Sequence, residues 1–137
     1  MRELIVEVAE DMANHGLGVF GTSDPTLRTI YWGEMPATCV KGLLLIDTPG
    51  APPQQYIDTE WLTLTVEAKA ATSDEAKALL RAVYNTYNRR YDWETTNWHV
   101  YWSHALGSIV DSGRNVEGSK IFRLSVQFMC RNLNNVS

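Results

Sequence analysis

Three sets of residues in this chain have types and spacings that bear on chemistry. The first, Gly16-Leu17-Gly18-Val19-Phe20-Gly21, spells the dinucleotide fingerprint, whose glycines let a strand-to-helix turn approach a pyrophosphate. Here the order is reversed: the run follows a helical segment and opens none, so it reads as a helix cap and a bend. The second set is His99 and His104, with Asp92, Glu94 and Asp111 close in sequence, types that hold a metal ion or move a proton when they converge. Positions five apart on a regular strand point to opposite faces, so the two imidazoles meet only if a bulge intervenes. Packed or solvated histidines are the simpler reading. The third set is Tyr91, Trp93, Trp98, Tyr101 and Trp102, an aromatic group of the kind that stacks on single-stranded bases when cations surround it. Asp92 and Glu94 have the wrong sign for that, and core or interface packing is the better use.

Nothing else in the chain suggests a reaction. No Gly-x-Ser-x-Gly elbow is present, and neither Cys39 nor Cys130 has a neighbouring histidine. The two cysteines match no zinc or thioredoxin spacing and read as buried, reduced thiols, with a disulfide left open. The sequence therefore assigns no catalytic, cofactor-binding or metal-ligating residues.

The elements that would position these groups follow from periodicity. Leu4, Ile5, Val8, Ala9 and Met12 recur at helical spacing, with Glu3, Glu7, Glu10, Asp11 and Asn14 on the other side, and Gly16 supplies the stop. A short extended piece over Leu17 to Phe20 follows. Strands are expected on each side of the break Gly33-Glu34-Met35-Pro36, over Leu27 to Trp32 and Val40 to Asp47. Thr48-Pro49-Gly50-Ala51-Pro52-Pro53 then forms a stiff loop. Tyr56 to Ala70 alternates as a half-buried strand. Thr72 and Glu75 have capping-box spacing, ahead of a helix whose apolar face is Ala76, Leu79, Leu80, Val83, Tyr84 and Tyr87 and which ends near Arg89-Arg90, where two cations suit its dipole. Tyr91 to Trp98 has no clear period. Val100 to Val110 reads as strand with a kink at Gly107, Asp111 to Gly118 as a loop, and Ile121 to Arg131 as a long alternating strand pairing back across it. The expected fold is α+β: a mainly antiparallel sheet with two amphipathic helices on one face and a long C-terminal β-hairpin. The sheet face left without helices, carrying Trp61, Ile121 and Met129, is only half polar, as when a second subunit covers it.

At 137 residues and 45% hydrophobic, the chain is expected to be a single domain over 1–137, with 132–137 a loose tail. Twelve basic against sixteen acidic residues give a net charge of -4, the wrong sign for affinity gained by displacing counterions from nucleic acid. Met1-Arg2-Glu3 leads straight into an acidic amphipathic segment, which is no secretory signal. The apolar run Leu43–Ile46 is far short of the roughly 20 residues that span a bilayer. A soluble protein with no membrane partner is expected.

Taken in order, several landmarks resemble the tail terminator, or minor capsid, proteins of long-tailed bacteriophages. They are the N-terminal helix ending in Gly16-Leu17-Gly18, Gly33-Glu34-Met35-Pro36, the strand and loop Leu45 to Pro53, the strand Leu62 to Ala70 with its helix from Asp74-Glu75-Ala76, and Gly113-Arg114-Asn115-Val116-Glu117-Gly118 before the strand Phe122 to Phe128. The resemblance implies a structural virion protein without enzymatic activity or cofactor. Such a protein forms a hexameric ring that caps the tail tube, ends its polymerisation and offers the head-tail joining surface. Its partners would be further copies of itself, the tail tube protein and a head-neck connector protein, with transient non-specific contact to DNA in the channel. It would be assembled in the host bacterial cytoplasm and reside in the virion tail. A neck or head-completion adaptor is the alternative, and a monomeric small-molecule-binding or hydrolytic protein using His99 and His104 a more distant one. For the ring, the expected contact elements are the hairpin residues Asp111, Gly113, Arg114, Asn115, Glu117 and Gly118, and the loop residues Pro49, Gly50, Pro52 and Pro53. Arg114 is the best single anchor, because a guanidinium grips a neighbour's carboxylate with two bonds.

Overall fold

A computed structural model describes residues 4–22, 27–48, 60–115 and 118–133. Along the chain it contains α1 (Leu4–Asn14), β1 (Ile30–Trp32), β2 (Gly42–Thr48), β3 (Glu60–Ala70), α2 (Ser73–Tyr87), β4 (Arg90–Glu94), β5 (Trp98–Ala105), β6 (Val110–Arg114) and β7 (Lys120–Asn132). The strands form one sheet in the order β1-β2-β3-β7-β5-β4, and β6 also pairs with β7. β3 occupies one edge of β7 from Lys120 to Cys130, so β5 and β6 follow one another along the other edge. They amount to one long strand broken at Gly107, whose φ of 108° lies outside the range of a side-chain-bearing strand residue. The expected kink and long hairpin are both present. Every pairing is antiparallel except β1 with β2, which is parallel through the connection 33–41.

The core lies between this sheet and the two helices. The alternation that makes β7 a strand sends Phe122, Leu124, Val126, Phe128 and Cys130 inward, beside Leu64, Val66, Ala68 and Ala70 of β3. α2 lays Ala76, Leu80, Val83 and Tyr87 on them, and α1 adds Leu4, Ile5, Val8, Ala9 and Met12. Thr72 caps α2 by accepting from the Glu75 amide at 3.3 Å, as the spacing predicts. Trp93 and Trp98, from the aperiodic aromatic stretch, are also buried in the core. That stretch contains a strand, β4, which periodicity missed. Both cysteines are free and buried. Burial, with a smaller effect of the Glu60 charge, pushes the Cys130 thiol up to about 12, so it stays protonated and inert at neutral pH.

The polar side of α1 is where the fold departs most from a simple amphipathic reading. Glu7, expected in solvent, is 3% exposed and accepts from the Asn97 backbone amide at 2.8 Å and from its side-chain amide at 2.7 Å. One turn on, Asp11 accepts from the Tyr87 hydroxyl and from Arg90, both at 2.7 Å. Arg90 therefore does not serve the α2 dipole. The helix stops at Tyr87, Arg89 takes a φ of 59°, and the Arg90 guanidinium lies over the Trp93 ring at 3.9 Å while paired with Asp11. Two carboxylates one helical turn apart thus clamp α1 to the end of α2 and to the β4–β5 hairpin.

Desolvation, reinforced by the Asp11 charge, raises the Tyr87 pKa far above its ordinary 10.0. Because the folded value lies above the unfolded one, this contribution to stability is complete below pH 10 and is lost only as pH rises beyond it. Tyr87→Phe removes a buried hydrogen bond to a charged group and should cost about 1.5–3 kcal/mol in denaturant unfolding. A variant as stable as the parent would show that the clamp contributes nothing.

Candidate subunit interface

The hairpin residues form one built unit, but not the free loop that the sequence suggests. Val110 pairs with Arg123, Asp111 with Phe122 and Arg114 with Lys120, so Asp111 to Arg114 belong to a strand. Asp, Ser and Gly are poor strand formers. The open edge of β7 offers them backbone partners, and that overrides local preference. Only the end from Asn115 to Ser119 is a turn, closed by the Asn115 amide donating to the Ser119 carbonyl and the Gly118 amide to the Asn115 carbonyl, each at 3.0 Å.

Side chains lock this arm. The Lys120 ammonium donates to both oxygens of Asp111 at 2.9 and 2.8 Å, and the Gly113 amide adds a third bond at 2.8 Å. The Arg114 guanidinium donates to the Gly118 carbonyl at 2.6 Å, and Asn115 Oδ1 accepts from the Ser119 amide at 2.9 Å. One Arg114 donor is thus spent within its own hairpin, while the side chain remains exposed. Asp111, Gly113, Arg114, Asn115 and Gly118 are brought together; Glu117, Pro49, Gly50, Pro52 and Pro53 lie outside the described residues. The attachment points of the second loop are described. It leaves β2 at Thr48, opposite Thr63, and rejoins at Glu60, opposite Cys130, whereas the hairpin turns beyond Lys120, opposite Ala70. The two expected contact elements therefore spring from opposite ends of the sheet.

The helix-free face is aromatic where β3, β7, β5 and β4 run side by side. In register across it stand Trp61, Met129, Trp102 and Tyr91. Trp61 and Trp102 meet edge to face at 5.2 Å over Met129, and Tyr91 is 63% exposed. Sequence periodicity identified Trp61 and Met129 as belonging to this face, but long-range register was needed to join them to Trp102.

The two histidines sit on the same face, against the expectation from their spacing. The pairing of β5 with β7 shifts by one residue between Val100 and Trp102. This bulge reverses the alternation, so His99, opposite Arg131, and His104, opposite Gln127, both point away from the helices. They still do not converge, because four residues of β7 separate their partners. His99 lies 3.5 Å from Glu94 and 3.8 Å from Asp92, while His104 stacks on Trp102 at 4.3 Å. Among the described residues no group of three or more His, Cys, Asp or Glu is arranged to hold a metal. The roomiest cleft, about 400 Å³, is lined by Lys77, Arg81, Tyr84, Gly107, Ser108 and Ile109, and presents neither imidazole nor carboxylate. No described helix is long and apolar enough to cross a membrane.

A sheet with both helices on one face, an aromatic opposite face and a braced hairpin at one end defines a protein organised around surfaces of contact. Residues 11–102 match the family of bacteriophage tail terminator proteins, and the chain belongs to that family. Its role is thereby that of a structural component of a phage tail. No curated protein matches the chain. The matched span runs from Asp11, the centre of the α1 clamp, to Trp102 on the open face, and leaves the hairpin outside it.

Hydrogen bonding from Lys120, then from the Gly113 amide, holds the Asp111 carboxyl below its ordinary 3.8. With the folded value below the unfolded one, its contribution to stability is present above pH 3.8 and fades as pH falls through the folded value. Carboxyl NMR of the protein should show Asp111 titrating below 3.8, and Lys120→Met should bring it back toward that value. An unchanged midpoint in the variant would mean that the brace is absent in solution.

Proposed function

We propose that six copies of this chain close a ring on the finished end of the tail tube, stop further tube growth and present the surface on which the head is joined. Membership of the tail terminator family carries this reading. The geometry supports it in two ways. The hairpin turn and the 49–59 segment are attached at opposite ends of one rigid sheet, which suits head-to-tail contact between unlike patches, the kind of contact that closes into a ring when its rotation allows. The hairpin is also braced before any partner arrives, so little conformational entropy remains to be lost on docking.

In this arrangement Arg114 reaches across to the next copy with the guanidinium donors not spent on Gly118, and Asp111, Gly113, Asn115, Glu117 and Gly118 shape the surface around it. Pro49, Gly50, Pro52 and Pro53 form the second contact element. The partners are the tail tube protein on one side and the head-neck connector protein on the other, after assembly in the host cytoplasm. DNA passes through the opening with only transient contact. A net charge of -4 suits a conduit that does not retain a polyanion.

Adding purified protein to polymerising tail tubes tests the reading. Tube lengths measured by electron microscopy should stop increasing once the ends are occupied. Arg114→Ala should fold normally yet need about tenfold more protein for the same arrest, the effect of losing one interfacial anchor. Continued elongation at saturating protein would contradict the capping role, and binding to head-neck components without arrest would make the chain a neck adaptor.

A further inference from the structure

Lys69 is out of place by every rule that governs the rest of the sheet. It lies on β3 between Gly42 and Ile121, on the helix-free face, and is only 7% exposed. Lysine is almost never buried without a partner, and its ammonium has three donors to satisfy. Lys69 makes no hydrogen bond or ion pair with any described residue. The nearest carboxylate on its own strand and face, Glu67, is engaged by Arg123 at 2.9 Å. The Lys69 side chain lines a cleft of about 220 Å³ whose other walls are Met35, Ala37, Leu44, Glu67, Asn115 and Ile121.

A buried cation without an acceptor is a standing free-energy cost, and it is offset when an acceptor arrives from outside. The cleft indicates what kind. Its walls are mostly apolar, with one cation and one amide, which suits a single carboxylate on a short apolar stem. A phosphate needs several donors, and these walls do not supply them. Asn115, on the far wall, belongs to the braced hairpin, so the cleft is continuous with the contact surface proposed above. The chain also carries a complementary feature. Asp92 and Glu94 stand side by side on the edge strand β4, with side chains 78% and 59% exposed and only His99 near them, at 3.8 and 3.5 Å.

We infer that the Lys69 cleft is a socket that receives a carboxylate from the β4 edge, Asp92 or Glu94, of a second copy of this chain. This rests on the ring reading and specifies one of its contacts. The ammonium supplies the charge, Met35, Leu44 and Ile121 exclude water around it, and the otherwise open β4 edge is covered in the assembly.

Self-association of the full chain, measured by sedimentation alone and with tail tubes added, tests the socket. Lys69→Met keeps the apolar stem and removes the charge. It should weaken association about tenfold or more, while the monomer melts no lower than the parent, because a lone buried cation has been removed. Asp92→Asn combined with Glu94→Gln should cause a similar loss, and joining all three substitutions should add little further, as expected for groups in contact. Losses that simply add, or a Lys69→Met protein that associates like the parent while the parent forms rings, would overturn the socket and leave the ring reading standing. A parent that stays monomeric even with tubes would overturn both. Stabilisation of the parent but not of Lys69→Met by inorganic phosphate would make the cleft a free-anion site and overturn the inference.

Discussion

Strand β7 is paired along both edges at once, by β3 from Lys120 to Cys130 on one side and by β5 and β6 on the other. A strand held in this way has no freedom of register. A slip of one residue would turn Phe122, Leu124, Val126, Phe128 and Cys130 out to the open face and bring Arg123 and Arg131 under the helices. The core, the aromatic row and the braced hairpin are all set by that one alignment. Trp61, Met129 and Trp102 meet because their strands are in register. Asp111 meets Lys120 because β6 runs back along the same edge. The proposed contact surfaces are therefore extensions of the core's own geometry.

The helices are fixed by polar groups as much as by apolar ones. Glu7 and Asp11 turn inward to hold Asn97, Tyr87 and Arg90, and these come from the end of α2 and from the β4–β5 hairpin. Buried charge of this kind is retained when it is paired and hydrogen-bonded, and it specifies an orientation that hydrophobic packing alone leaves loose. One consequence reaches the surface: the clamp sets where β4 lies, and with it the exposed Asp92 and Glu94.

Much of this was legible in the residues. The alternation of β3 and β7, the capping box at Thr72, the stop at Gly16, the kink at Gly107 and the placement of both helices on one face follow from local pattern. What local pattern missed depended on distant partners. Asp111 to Arg114 has the composition of a loop and became a strand because β7 had an edge to fill. Tyr91 to Glu94 has no period, since one of its residues, Trp93, is drawn into the core and Asp92 takes a left-handed φ of 50°. The histidines face the same way because of a bulge at Tyr101 that no spacing rule could locate. Glu7 counted as solvent-facing until its partner, ninety positions away, was known. Lys69 looked like one more polar residue on an alternating strand, and only its burial beside Ile121 and the 33–41 connection makes it unusual. The family resemblance rested on the order of landmarks across the whole chain, and the family match covers 11–102 of them. The hairpin's part in assembly is carried by its geometry alone.

Electron cryo-microscopy of intact phage tails at the head-proximal end tests the central claim most directly. The account predicts six copies of this chain in one closed ring on the tube, each hairpin seated on its neighbour. A tube end lacking this chain, or bearing isolated copies that do not touch, would contradict it.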